Sequence, residues 1–310
     1  MPRYLLLRMA FHRLLPWLGV LLPLLAVAPL ILALPYSDDW RLIPFLAKLH
    51  TGTLAWPDLW YQFAESRPVV PLLAYWGWFS ALGWHPWLEF ARNLLTTAAI
   101  FLLVGHLAQR VLGRPAWWWA LGTVLGLMVF SIGKYNIWLV SLQWVRQVEV
   151  LCLMGALLVV SRPTLRARHG WALLALVALA LFSFAGGAVV LVLVPILVLA
   201  HPGLRQRAKL RWLAVGLPLG GVLLLLYLQG YRQEATYAGD LARLAPYWRI
   251  VVHNALKYLG GGLLNADHRL AEALALLGLP LAALWAGSRL LRGGFRPMEL
   301  AMTALAACAA

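Results

Sequence analysis

Long apolar runs alternate with short charged stretches along the whole chain. Residues 14–34, 87–112, 116–132, 144–160, 171–185, 187–200, 212–228 and 270–290, and a run beginning at Met298, each predict an apolar helix. A bilayer core takes about 20 helical residues, so the shorter runs require tilt or a thinner membrane. The pattern predicts an all-α, polytopic transmembrane bundle of about 8–9 spans. Residues 1–310 read as one membrane-embedded domain: a first span at 14–34, an outer region at 35–86, and the remaining spans at 87–310.

Charge decides the topology. Basic residues gather at Arg3/Arg8/Arg13, Arg110/Arg114, Arg162/Arg166/Arg168, Arg205/Arg207/Lys209/Arg211 and Arg289/Arg292/Arg296. If 68–84 lies on the outer surface as an amphipathic or half-inserted helix, all these clusters fall in the cytoplasm, as the positive-inside rule demands. The acids then sort to the outer side, Glu299 excepted. Both ends of 171–200 are basic, so that stretch crosses an even number of times, with Gly186-Gly187 turning between two short helices. One long helix is the alternative. The outer regions are then 35–86, 133–147 and 229–269, and the first is far longer than a connection needs. The N-terminus begins like a secretory signal, but its apolar run exceeds the usual length of roughly 7–15 residues. It reads as a retained span with the N-terminus cytoplasmic, in a bacterial inner membrane. The last run is too short to cross, which suggests a fragment or a truncated relative.

Composition strengthens the membrane reading. Hydrophobic residues make up 63% of the chain and charged residues 12%, with a mean hydropathy of +0.78. A soluble protein of this size cannot hide so much apolar surface. The 17 Trp suit membrane interfaces. A net charge of +15 could suggest nucleic acid, but clusters flanking spans argue against it. Cys152 and Cys308 lie inside apolar runs and read as small hydrophobes.

Polar chemistry concentrates in the outer regions. Asp38 and Asp39 follow directly on the first span, in "ALPYSDDWRL". Ser37 or Asp38 could cap a helix starting near Trp40. A carboxylate at the membrane surface could equally serve as general base for an acceptor hydroxyl, or the pair could hold a divalent ion. In "FAESRPVVP", Arg67 could grip a phosphate while Glu65 positions a sugar hydroxyl; a polar loop before a proline-started helix is the plainer reading. Lys134, Gln143, Arg146 and Glu149 lie beside Trp138 and Trp144, forming either an interfacial aromatic belt or a sugar-phosphate site. Arg249, His253 and Lys257 recur every four residues, on one helix face that could meet lipid phosphates. Gly260-Gly261-Gly262 lacks the ending of a phosphate loop. Gly216 and Gly220 make a GxxxG match for helix packing.

Together these features resemble the membrane-embedded glycosyltransferases of the GT-C superfamily, of the protein O-mannosyltransferase and aminoarabinose-transferase types. The likeness rests on the acids Asp38 and Asp39 after the first span and the long first outer region. It rests also on Glu65-x-Arg67-Pro68, a following span ending in Arg110 and Arg114, the Trp138–Trp144 stretch and the "SFAGG" turn at 183–187. The resemblance implies a polyprenyl-phosphate sugar donor, no certain cofactor, and transfer to a glycan, lipid or protein acceptor on the outer face. It makes Asp38 or Asp39 the base. Position suggests phosphate contacts from Arg67, Lys134, Arg146, Arg249 or Lys257. Such relatives carry another acid in the second outer region, where this chain offers only Glu149. The competing readings are a transporter or flippase of lipid-linked sugars and a non-catalytic membrane assembly protein. The interiors of 14–34 and of the spans between 171 and 228 hold no ionisable group, which disfavours ion-coupled transport.

Overall fold

The computed structural model describes Leu25 and residues 37–63, 66–112, 122–123, 126, 129–130 and 135–231. Every regular element among them is helical, apart from one bridge pairing Phe63 with Ser66. Three helical stretches are long and apolar enough to cross a membrane: Pro86–Arg110, Ser141–Val160 and Gln206–Leu228. The spans expected at 14–34, at 270–290 and from 298, and most of 116–132, lie outside the described residues.

The chain forms two compact units, 1–60 with 69–151 and 61–68 with 152–310. In the first, a 3-10 turn (Ser37–Leu42) runs into α1 (Ile43–His50) and is followed by α2 (Trp56–Leu59). Both helices carry a proline in their first turn, where its missing N–H costs nothing. The Asp58 carboxylate caps α2 by accepting the Ala55 amide at 2.9 Å. Next come α3 (Val69–Leu82) and α4 (Pro86–Leu112), joined by a tight turn in which Gly83 takes φ +72°. The 14 residues of α3 extend about 21 Å, short of a hydrocarbon core of about 30 Å.

After α4, the first unit continues with α5 (Tyr135–Leu139) and a second 3-10 turn (Ser141–Gln143). Together they lead into α6 (Trp144–Val160). Phe90, Phe101, Phe130 and Trp138 form an aromatic core here. Phe130 lies 5.9 Å from Phe101 and 6.2 Å from Trp138, ring centre to ring centre.

The second unit takes the rest of α6 with α7 (Ala167–Leu181), α8 (Gly187–Ala200) and α9 (Gln206–Leu228). The stretch 171–200 is two helices rather than one. Gly187 explains the turn: a Cβ there would strike the Ala180 carbonyl and the Leu181 amide. Only glycine lets α8 start so close to the end of α7. The Ala185 amide also donates to Ser66 Oγ at 3.2 Å, so the 61–68 segment is tied to this turn.

Candidate functional site

The first unit buries an unusual set of polar side chains. Asp39, Glu89, Arg92, Asn93, Thr97, Ser141 and Gln147 are all under 9% exposed. Most serve one stretch of chain, residues 137–143, where the end of α5 passes through Val140 and the second 3-10 turn into α6. Carbonyls at a helix end have no intrahelical partner and must find one elsewhere. Asn93 Nδ2 donates to the Trp138 and Val140 carbonyls, both at 3.1 Å. The Tyr75 hydroxyl donates to the Ser141 carbonyl at 2.5 Å, and Arg92 Nη2 donates to the same oxygen at 3.1 Å. Gln147 Nε2 reaches the Ile137 carbonyl at 3.0 Å, and the Trp144 indole N–H donates to Thr96 Oγ1 at 2.9 Å.

Arg92 is the centre of this arrangement. Its guanidinium lies 4.7 Å from the Tyr75 ring centre and 4.6 Å from that of Trp144, against two rings that also touch each other, and such cation–π contacts are worth more when desolvated. Its charge is matched by Glu89, one turn back on α4, at 2.6 Å. The Ser141 hydroxyl and Trp78 indole N–H lie near enough to act on the Glu89 carboxylate, yet neither closes a hydrogen bond of good geometry among the described residues. A buried pair of this kind gains little net stability, but losing one partner is costly.

The acidic pair docks on this supported turn. Asp39 is 3% exposed, and its carboxylate accepts the Leu142 amide at 3.0 Å. Asp38 keeps its side chain 41% exposed, with Arg41 Nε 3.8 Å away. Gln143 Nε2 donates to it at 3.4 Å. Neighbouring residues on a 3-10 helix point about 120° apart, so one carboxylate faces inward and the other outward. Neither Ser37 nor Asp38 caps a helix starting near Trp40: both lie within the 3-10 turn, and α1 follows Leu42 with no side-chain cap. Asp39 instead reaches an amide more than a hundred residues along the chain. Ser37, at φ +54°, starts the turn in left-handed backbone, a conformation uncommon outside glycine.

The other expected site residues are spread more widely. Arg67 is 2% exposed and belongs to the second unit. Near its guanidinium, a Cβ built on Gly230 would lie 3.9 Å from Nη2. Arg146 is exposed on the first turn of α6. Glu65, Lys134, Arg249 and Lys257 lie outside the described residues. Among the described residues no group of three or more His, Cys, Asp or Glu side chains converges.

Tyr75, Glu89, Arg92 and Asn93 were passed over in the sequence as site residues. Their signal was present: Glu89, Arg92, Asn93 and Thr96 fall at i, i+3, i+4 and i+7 of an apolar helix. A polar stripe on a membrane helix is expensive and points to function or to a polar neighbour. Arg41, beside Asp38, was also missed. No family model, curated protein or solved structure matches this chain.

Proposed function

We propose that the protein is a membrane glycosyltransferase that moves a sugar from a polyprenyl phosphate to an acceptor hydroxyl at the outer membrane surface. The observation that carries this reading is the asymmetry of the acidic pair. Asp39 is buried and held by a backbone amide, while Asp38 beside it stays accessible. A general base has to reach the proton it takes and has to be held still while doing so. In this reading Asp38 accepts the proton of the acceptor hydroxyl, whose oxygen attacks the anomeric carbon of the donor. The bond from that carbon to the phosphate oxygen breaks, and polyprenyl phosphate leaves with the electron pair. The leaving phosphate needs charge stabilisation more than protonation, and Arg41 is the cation nearest the base among the described residues. Asp39 acts as a positioning residue. Arg67, Arg146, Lys134, Arg249 and Lys257 are the other cations proposed for the donor, with Glu65 for a sugar hydroxyl.

A transport reading draws support from one observation, the buried Glu89–Arg92 pair inside a helix long enough to span. Loss of label from radiolabelled polyprenyl-phosphate sugars, followed in native lipid, separates the two. The transferase reading expects hydrolysis or transfer that disappears in Asp38→Asn. Movement of intact donor across the bilayer without turnover would contradict it.

A further inference from the structure

The second unit carries a different and independent feature. From 152 to 231 the chain contains no Asp or Glu, yet it holds Arg162, Arg166, Arg168, Arg205, Arg207, Lys209 and Arg211. Two loops bring these cations together. His201, wholly buried, links them: its Nε2 pairs with the Arg162 carbonyl at 2.9 Å, and its Nδ1 accepts the Gly203 amide at 3.1 Å. A Cβ on Gly203 would strike the Pro163 carbonyl, so the loops are in close contact. The fold therefore holds like charges together with no carboxylate between 152 and 231 to offset them.

These cations border a hollow. Arg205, Arg207 and Arg211 line a cavity of about 640 Å³ together with Trp171 and Trp212, between the first turns of α7 and α9. Both helices start at this end, so their amide dipoles add to its positive potential. A second cavity of about 350 Å³, almost entirely apolar in lining, shares Gly170, Leu174, Trp212 and Gly216 with the first. It continues along α9 past Gly220 to Leu224. Glycines shape the trough. At Gly170 a Cβ would press on the Trp212 ring at 2.8 Å, and at Gly220 it would meet Leu191 at 2.9 Å. At Gly216 and Gly221 it would meet nothing within 4 Å. The helices are close at two points and open at the others.

We propose that this trough is a binding site for an anionic phospholipid, with the headgroup phosphate on Arg205, Arg207 and Arg211 and an acyl chain along the face of Gly216 and Gly220. The chemistry is that of one molecule: a charged end at the interfacial tryptophans and a hydrocarbon end in the apolar groove. Free phosphate would use only the first half of the site, and a zwitterionic lipid would bring a cationic ammonium beside its phosphate, which the same arginines repel.

The test uses the full chain purified in neutral detergent and offered equal amounts of phosphatidylglycerol and phosphatidylcholine. Retained lipid is measured by native mass spectrometry, and photoactivatable acyl-chain analogues report where the lipid sits. The wild type should retain phosphatidylglycerol in preference, and the label should fall between 170 and 224. Arg205→Gln with Arg207→Gln and Arg211→Gln should lower that preference by roughly tenfold or more. Gly216→Phe, which fills open space, should exclude both lipids while leaving helicity unchanged. An excess of inorganic phosphate should not displace the lipid. Equal retention of the two lipids, displacement by phosphate, or cross-linking of Gly216→Cys to the chain's own residues 270–290 would each overturn the proposal.

Discussion

The two units solve the problem of packing helices in opposite ways. The first buries charge and amide groups and uses them to hold the junction at residues 137–143 between helices. The second packs with glycines and aliphatic side chains and, apart from the buried Arg67, keeps the cations of 152–231 at the ends of helices. A membrane helix needs no buried polar network in order to pack. Where one exists, it serves a piece of backbone that could not otherwise be satisfied. In the first unit that piece is the turn on which Asp38 and Asp39 rest. The contrast separates a region held by buried polar groups from one held by close apolar packing.

Substitutions should respond accordingly, and the largest effect is expected at Arg92. Arg92→Met leaves the Glu89 carboxylate buried without its cation and removes a donor from Ser141, at a cost of about 3–5 kcal/mol. Adding Glu89→Gln should recover much of that loss. Thermal unfolding in detergent checks both, and a single variant as stable as the wild type would dissolve the contrast. In the second unit the sharpest response should come from glycine. Gly187→Ala forces a methyl onto the Ala180 carbonyl and should cost about 1–3 kcal/mol, read from the same unfolding curves.

Asn93→Leu sharpens the comparison further. It deletes two buried hydrogen bonds to the Trp138 and Val140 carbonyls, a loss of about 1–3 kcal/mol. If the network exists to hold the acidic pair, donor turnover should fall by more than stability does. Equal loss of both would reduce the network to packing.

The smallest effect is electrostatic and lies at the surface. The Lys48 ammonium donates to Asp58, which also accepts the Ala55 amide. Lys48 first, and then the amide, hold the Asp58 carboxyl below its usual value of 3.8. A depressed carboxyl stabilises the folded state above its unfolded pKa and loses that contribution as pH falls through the folded value. Asp58→Asn should therefore match the wild type in strong acid and be slightly less stable near neutrality. A difference that grows as the pH falls would reverse the sign.

Much of the second unit was legible in the sequence, because its helices are packed from uniform apolar runs. The helix at Gly187–Ala200 and the turn before it follow from basic residues at both ends and two adjacent glycines. The helix at Trp144–Val160 likewise has the bounds its apolar run predicts. The first unit was less legible. Asp38 and Asp39 stand out as charge leaving a membrane, but their partners at Leu142 and Gln143 are distant in sequence. One of those partners is a backbone amide, which no residue type announces. Tyr75 hid within an aromatic-rich helix whose Trp and Phe suggested only an interface. Glu89 and Arg92 were visible as residues, but their meaning depended on the 137–143 junction, which packs on their helix through contacts some fifty residues apart in sequence.

The central claim is that Asp38 reacts and Asp39 holds it in place. Steady-state turnover of a polyprenyl-phosphate sugar by Asp38→Asn and Asp39→Asn, in native lipid, tests it most directly. The account predicts that Asp38→Asn loses kcat by about a hundredfold to ten-thousandfold with KM for the donor nearly unchanged. Asp39→Asn should lose less and regain part of it in Asp39→Glu. Full activity in Asp38→Asn would contradict the account and leave the acidic pair as an anchor for the turn.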